Sequence, residues 1–115
     1  MSSIGTKTAS RPPLEALHDP SIFKTDALIN GQWVKGTSRF DVNDPATGLK
    51  LADVANLGAQ DAEAAIAAAN AAWPAWRSKT GKERHAILLK WYQLLMANQE
   101  DLGRIMTAEQ GKPFA

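Results

Sequence analysis

The 115 residues suffice for one small domain with a modest core, since a chain of this size buries roughly 65 % of its unfolded surface. Thirteen basic residues against twelve acidic leave a net charge of +1. The only basic cluster, Arg77, Lys79, Lys82 and Arg84, is interrupted by Glu83, as on a solvated helix start rather than a nucleic-acid interface. The absence of cysteine excludes disulfides, thiolate metal sites and a cysteine nucleophile within the chain, and no apolar run approaches the ~20 residues of a membrane-spanning helix.

Residues 1–13 are rich in Ser, Thr and Pro, with Lys7 and Arg11 and no acid. A disordered tail is expected there. A mitochondrial presequence has a similar flavour, but Pro12-Pro13 oppose an amphipathic helix. Residues 14–115 are read as one structured portion. Leu14, Leu17 and Ile22 offer a short apolar patch, and Asp19-Pro20 predicts a turn.

Ala27 to Val34 reads as two strands around Asn30-Gly31. A type I′ turn needs positive φ at both central residues, which Asn-Gly supplies best. That turn sets Leu28 opposite Trp33 and Ile29 opposite Gln32. Arg39 to Asn43 is a short strand candidate. Asp44-Pro45-Ala46-Thr47-Gly48 is a turn, with Pro presetting φ and Gly accepting a positive one. Leu49 to Leu57 is a further strand.

From Ala59 to Trp73 alanine dominates, and Ala62, Ala65, Ile66, Ala69 and Trp73 fall on one helical stripe. Pro74 is expected to end or kink this helix. Thr80 and Glu83 have capping-box spacing and open a helix to about Ala97, with Ile87, Leu88, Trp91, Leu94 and Leu95 on its buried side. Asn98, with Asp101 three positions on, is expected to cap a third helix striped by Leu102, Ile105 and Met106. Gly111 looks like its stop, and Pro113 follows.

In this order and spacing, several stretches resemble the N-terminal part of the aldehyde dehydrogenase superfamily. They are Ile29-Asn30-Gly31-Gln32-Trp33-Val34, Asn43-Asp44-Pro45-Ala46-Thr47-Gly48, Ala67-Ala68-Ala69 through Trp73-Pro74-Ala75-Trp76, Glu83-Arg84, and Glu109-Gln110-Gly111-Lys112-Pro113. The family more often has Asn directly before Pro-Ala-Thr-Gly, where Asp44 stands here. Within the superfamily the chain is most similar to succinate-semialdehyde dehydrogenases. Asp19-Pro20-Ser21-Ile22-Phe23 and Met106-Thr107 carry that likeness.

The resemblance implies an α/β fold, of which this segment supplies an N-terminal tail, a β-hairpin with short strands and about three helices. It implies oxidation of an aldehyde, succinate semialdehyde, to the acid by NAD or NADP in a cytoplasmic homo-oligomer, with a mitochondrial location as the alternative. A cysteine thiolate attacks the aldehyde, hydride passes to the nicotinamide, and a glutamate activates water. Those positions lie downstream in the family, so no catalytic or cofactor-binding residue transfers to this chain. The isolated chain is expected to be inactive. The rival reading is a non-enzymatic remnant or a module that binds full-length subunits.

His18 and His85 lie far apart, which speaks against zinc. The tryptophans at 33, 73, 76 and 91 suit packing. Glu109 has two readings. It is a surface acid, or, as the resemblance implies, it holds a sodium or potassium ion with the backbone carbonyls of Val42 and Asn43, oxygen donors suited to a hard cation.

Overall fold

The computed structural model describes residues 12–114, so residues 1–11 of the expected tail lie outside the described residues. Helix α1 (Pro12–Glu15) opens on the two prolines. A first helical turn tolerates them because its N–H groups have no intrahelical acceptor. A 3-10 turn, Pro20–Ile22, follows, and the Asp19 side chain accepts from the Ser21 backbone N–H at 3.1 Å and from its hydroxyl at 2.6 Å. Strands β1 (Ala27–Ile29), β2 (Gln32–Val34), β3 (Ser38–Asn43) and β4 (Lys50–Asn56) form two two-stranded sheets, β1-β2 and β3-β4. Helices α2 (Ala59–Ser78), α3 (Gly81–Ala97) and α4 (Gln99–Gln110) complete the order.

The chain divides into two compact units. One combines the segment up to Thr25, Arg39–Val54 and the stretch from Asn98 onward; the other combines Asp26–Ser38 and Ala55–Ala97.

The first unit holds the core. Leu14, Leu51 and Ala108 are buried, with Phe23, Val42 and Ile105 packed against them. Alanine at 108 leaves room for α1 to lie against α4. The Asp44-to-Gly48 turn closes β3 onto β4 as expected: Gly48 has φ 74°, its N–H reaches the Asp44 carbonyl at 2.7 Å, and the buried Asp44 carboxylate accepts from Ala46 at 2.8 Å. Beside it Arg39 donates to Asp53 at 2.7 Å and to the Thr25 hydroxyl at 3.1 Å. The Arg39 hydrogen bond is the main reason the Asp53 carboxyl lies below the usual range.

The second unit contains the Asn30-Gly31 hairpin. Both turn residues have positive φ, 52° and 72°, and the register pairs Leu28 with Trp33 and Ile29 with Gln32. Helix α2 packs on β1, and Ala65, Ala68, Ala69 and Ala72 line a shallow groove with Leu28 to Gly31. The capping box that opens α3 is formed on both sides, at 3.1 Å each way between Thr80 and Glu83.

Three expectations are corrected. Helix α2 runs through Pro74 to Ser78, so the proline does not end it. Proline removes one intrahelical hydrogen bond, but at this exposed position the freed carbonyl of Asn70 can be hydrated, and the surrounding alanines sustain the helix. Asn98 stands at the N-cap of α4 as expected but makes no side-chain cap bond, and the Asp101 carboxylate accepts from the His18 and Asp19 N–H groups instead of reaching back to it. The apolar stripes of α2 and α3 are not buried: Ile66 is 68 % exposed and Trp91 62 %. No residue of the second unit is buried, since its elements lie too sparsely to cover their own side chains.

Candidate functional site

Asp101 organises the first unit. It is 3 % exposed and stands in the first turn of α4, where the helix dipole favours an acid. Its two carboxylate oxygens accept the backbone N–H groups of His18 at 2.8 Å and Asp19 at 2.9 Å. Those bonds hold the Asp101 carboxyl below the usual carboxylate range. The His18 ring lies 3.5 Å from Glu100. This anchors the segment between α1 and the 3-10 turn onto α4. Nothing in the sequence distinguished Asp101 from an ordinary first-turn acid, because its partners are backbone groups far away along the chain.

Leu14 and Phe23, on either side of the anchored segment, line a small cavity of about 40 Å³. Leu14, Phe23, Leu51 and Ile105 make it largely apolar, and Val42, Lys24 and Glu109 also line it. Two of the three expected cation ligands, Val42 and Glu109, thus line the same cavity; Asn43 follows Val42 in β3 but is not among the lining residues. Among the described residues no cluster of three or more His, Asp or Glu side chains is arranged to hold a metal ion.

At the end of α4 two of the sequence motifs meet. Gly111 adopts φ 80° and donates to the Thr107 carbonyl at 3.0 Å, which ends the helix. A Cβ on Gly111 would stand 3.1 Å from Cγ of Pro45. The Gly stop and the Asp-Pro-Ala-Thr-Gly turn are therefore one packed feature, and glycine at 111 serves both the backbone turn and the close approach.

A dinucleotide needs a glycine-rich turn between a strand and a helix, with free N–H groups at the helix start. The junction of β4 and α2 has one glycine, Gly58, and its N–H already donates to the Asp61 carboxylate at 3.3 Å. That carboxylate puts negative charge where a phosphate would sit. This junction does not fit the pyrophosphate of a dinucleotide.

Residues 33–115 match the model of the aldehyde dehydrogenase family. The chain belongs to this family. Over 101 residues it is 50 % identical to the succinate-semialdehyde dehydrogenase [NADP(+)] GabD of Escherichia coli (strain K12), covering 86 % of this chain and 21 % of that protein. The identity is also 50 % over 101 residues, with the same coverage, to the 3-sulfolactaldehyde dehydrogenase of Pseudomonas putida. Among solved structures, the succinate-semialdehyde dehydrogenase of Burkholderia pseudomallei superposes with a TM-score of 0.83 at 48 % identity, covering 86 % of this chain and 21 % of that one. The chain thus spans about a fifth of the length of the aldehyde dehydrogenases it matches. The two small sheets and the helices that follow are this family's α/β architecture. No described helix is long and apolar enough to cross a membrane.

Proposed function

We propose that the chain is the N-terminal portion of an NAD(P)-dependent succinate-semialdehyde dehydrogenase, and that residues 14–115 form its first structural segment. The observation that carries this reading is the 50 % identity to the Escherichia coli enzyme over 86 % of the chain. The Pseudomonas putida relative is named for an aldehyde whose far end bears a sulfonate, as succinate semialdehyde bears a carboxylate. A short aldehyde with a distal anion is the substrate class common to both. The thiolate nucleophile belongs to another part of the whole protein, since this chain has no cysteine, and on this reading the water-activating acid and the cofactor cradle lie there too. The role of the present segment is to scaffold them.

The test is to read the coding sequence past Ala115 and to assay its purified product at 340 nm with succinate semialdehyde and each of NAD and NADP. The expected result is an in-frame continuation containing a cysteine, with turnover of succinate semialdehyde. Turnover of 3-sulfolactaldehyde alone would move the substrate, and a stop codon after Ala115 would remove the enzyme reading. The 115-residue chain by itself should reduce neither cofactor.

A monovalent cation held by the Val42 and Asn43 carbonyls and the Glu109 carboxylate belongs to the same reading. The cavity that Val42 and Glu109 both line supports it, whereas Lys24 in the same lining opposes it by charge. Replacing sodium and potassium by tetramethylammonium should then lower the thermal midpoint, and Glu109→Gln should abolish the difference. Equal midpoints in all three salts would exclude the ion.

A further inference from the structure

Asparagine occurs at positions 30, 43, 56, 70 and 98, and Asn30 alone is followed by glycine. An asparagine carboxamide is thermolabile, because the backbone nitrogen of the next residue can attack it. A side chain on that next residue hinders the approach. Gly31 has none, and the place a Cβ would take has nothing within 4 Å. Asn30 and Gly31 are both exposed at the tip of the hairpin, open to water and hydroxide. The last paired residues of the ladder are Ile29 and Gln32. A two-residue turn uses the backbone groups of that pair, so the Gly31 N–H stands outside the ladder.

The closed turn opposes the reaction. Asn30 has φ 52°. In that left-handed conformation ψ lies at about +47°, which sets Cβ anti to the following nitrogen across the Cα–C bond. Ring closure needs the two on the same side, so the turn must first open by roughly half a rotation about that bond. Opening is cheap here. The strands have three residues each, Leu28 and Trp33 face one another while still exposed, and no residue of the second unit is buried. A two-stranded hairpin with so little burial is marginal.

We infer that Asn30 is a site of spontaneous covalent modification, gated by opening of the hairpin. Hydroxide takes the Gly31 N–H proton, and the nitrogen attacks Cγ of Asn30. The N–Cγ bond forms, the Cγ–Nδ2 bond breaks, and Nδ2 leaves as ammonia with a proton from water, which restores the hydroxide. A second water then opens the five-membered imide, and nothing is oxidised or reduced. Cleavage at Cγ leaves an aspartate. Cleavage at the backbone carbonyl leaves an isoaspartate, whose chain runs through the side-chain carbonyl. Either product puts an acid in the turn. The isoaspartate also adds a methylene to the backbone, which neither a type I′ turn nor the Leu28–Trp33 register accommodates. The modification thus unmakes the hairpin that restrains it. This inference rests on the hairpin alone, not on the family reading or on any substrate.

The experiment incubates the 115-residue chain in mildly alkaline buffer, beside a free peptide of residues 27–34 as the open reference. Peptide mass spectrometry and labelling by an isoaspartyl methyltransferase follow each asparagine. Asn30 is expected to convert before the other four, and more slowly than in the peptide. Trp33→Ala removes the partner of Leu28 and should speed conversion at least ~threefold. Gly31→Ala should slow it at least ~tenfold, although the same change loosens the turn. Another asparagine converting as fast, no conversion of Asn30 once the peptide is fully converted, or a rate equal to the peptide's would each overturn the inference. So would a Trp33→Ala rate equal to wild type. Should Trp33→Ala unfold the whole chain, urea below the unfolding midpoint takes its place, and a rate that does not rise with urea counts against the gate.

Discussion

The carboxylate of Asp101 accepts the backbone N–H of His18 at 2.8 Å, across 83 positions of sequence. Backbone donors, not charged side chains, are the main reason its carboxyl lies below the usual range, with His18 the larger contributor and Asp19 the next. Protonating Asp101 is therefore harder in the folded chain than in the unfolded one. The bonds contribute stability above the ordinary carboxylate pKa of about 4, and the contribution is lost as pH falls through the depressed folded value. Asp101→Asn should lower the thermal midpoint at pH 7 by several degrees and flatten its acid dependence below about pH 4. Midpoints that track wild type from pH 7 to pH 3 would contradict this.

Removing the carboxylate altogether should loosen the anchored segment first. Limited proteolysis of Asp101→Ala should cut between Glu15 and Thr25 well before it cuts the β3-β4 hairpin. Uniform cleavage would mean that the apolar contacts of Leu14 hold the segment without the carboxylate.

Gly31 and Gly111 separate two reasons for a glycine. A Cβ at Gly31 meets nothing within 4 Å, so Gly31→Ala tests φ 72° alone and should cost about 1–2 kcal/mol in chemical denaturation. At Gly111 the strain at φ 80° is joined by the 3.1 Å approach to Pro45. Gly111→Ala should cost more than Gly31→Ala, and pairing it with Pro45→Ala should recover part of the loss. Equal costs, with no recovery in the double variant, would show that Pro45 yields freely.

Thr80→Ala removes the acceptor for the Glu83 N–H and should cost about 1 kcal/mol of helix stability. Circular dichroism during thermal unfolding reads that loss. Thr80→Ser should retain most of the wild-type stability, since serine restores the hydroxyl.

The features legible in the sequence are those that neighbouring residues dictate. The Asn30-Gly31 turn, the register of Leu28 on Trp33, the Thr80–Glu83 box and the Gly111 stop all depend on residues within a few positions, and each stands where its local chemistry puts it. Pro74 misled because proline's cost is local while the alanine-rich helix on both sides overrides it. Asp101 misled because the spacing from Asn98 suggests a cap, whereas the carboxylate is claimed by backbone groups no pattern reveals. The apolar periodicity of α3 predicts a buried side, yet Ile87, Leu88, Trp91, Leu94 and Leu95 are exposed, because periodicity does not say which surface supplies the cover. The cavity shared by Val42 and Glu109 is a product of folding, visible only once β3 and α4 are brought together.

The anchoring of His18 on Asp101 also has a timetable. The first unit is assembled from three separated stretches, and its closing residues, Asp101 and Ala108, are made last. At a synthesis rate of ~5–20 residues per second, the 83 positions between His18 and Asp101 correspond to a wait of roughly 4–17 s. Throughout that interval Leu14 and Phe23 have no α4 to settle on, while the Asn30-Gly31 hairpin can close within microseconds of its emergence. The early segment is thus open to holdase chaperones, and to premature pairing with other nascent chains, until α4 has left the ribosome.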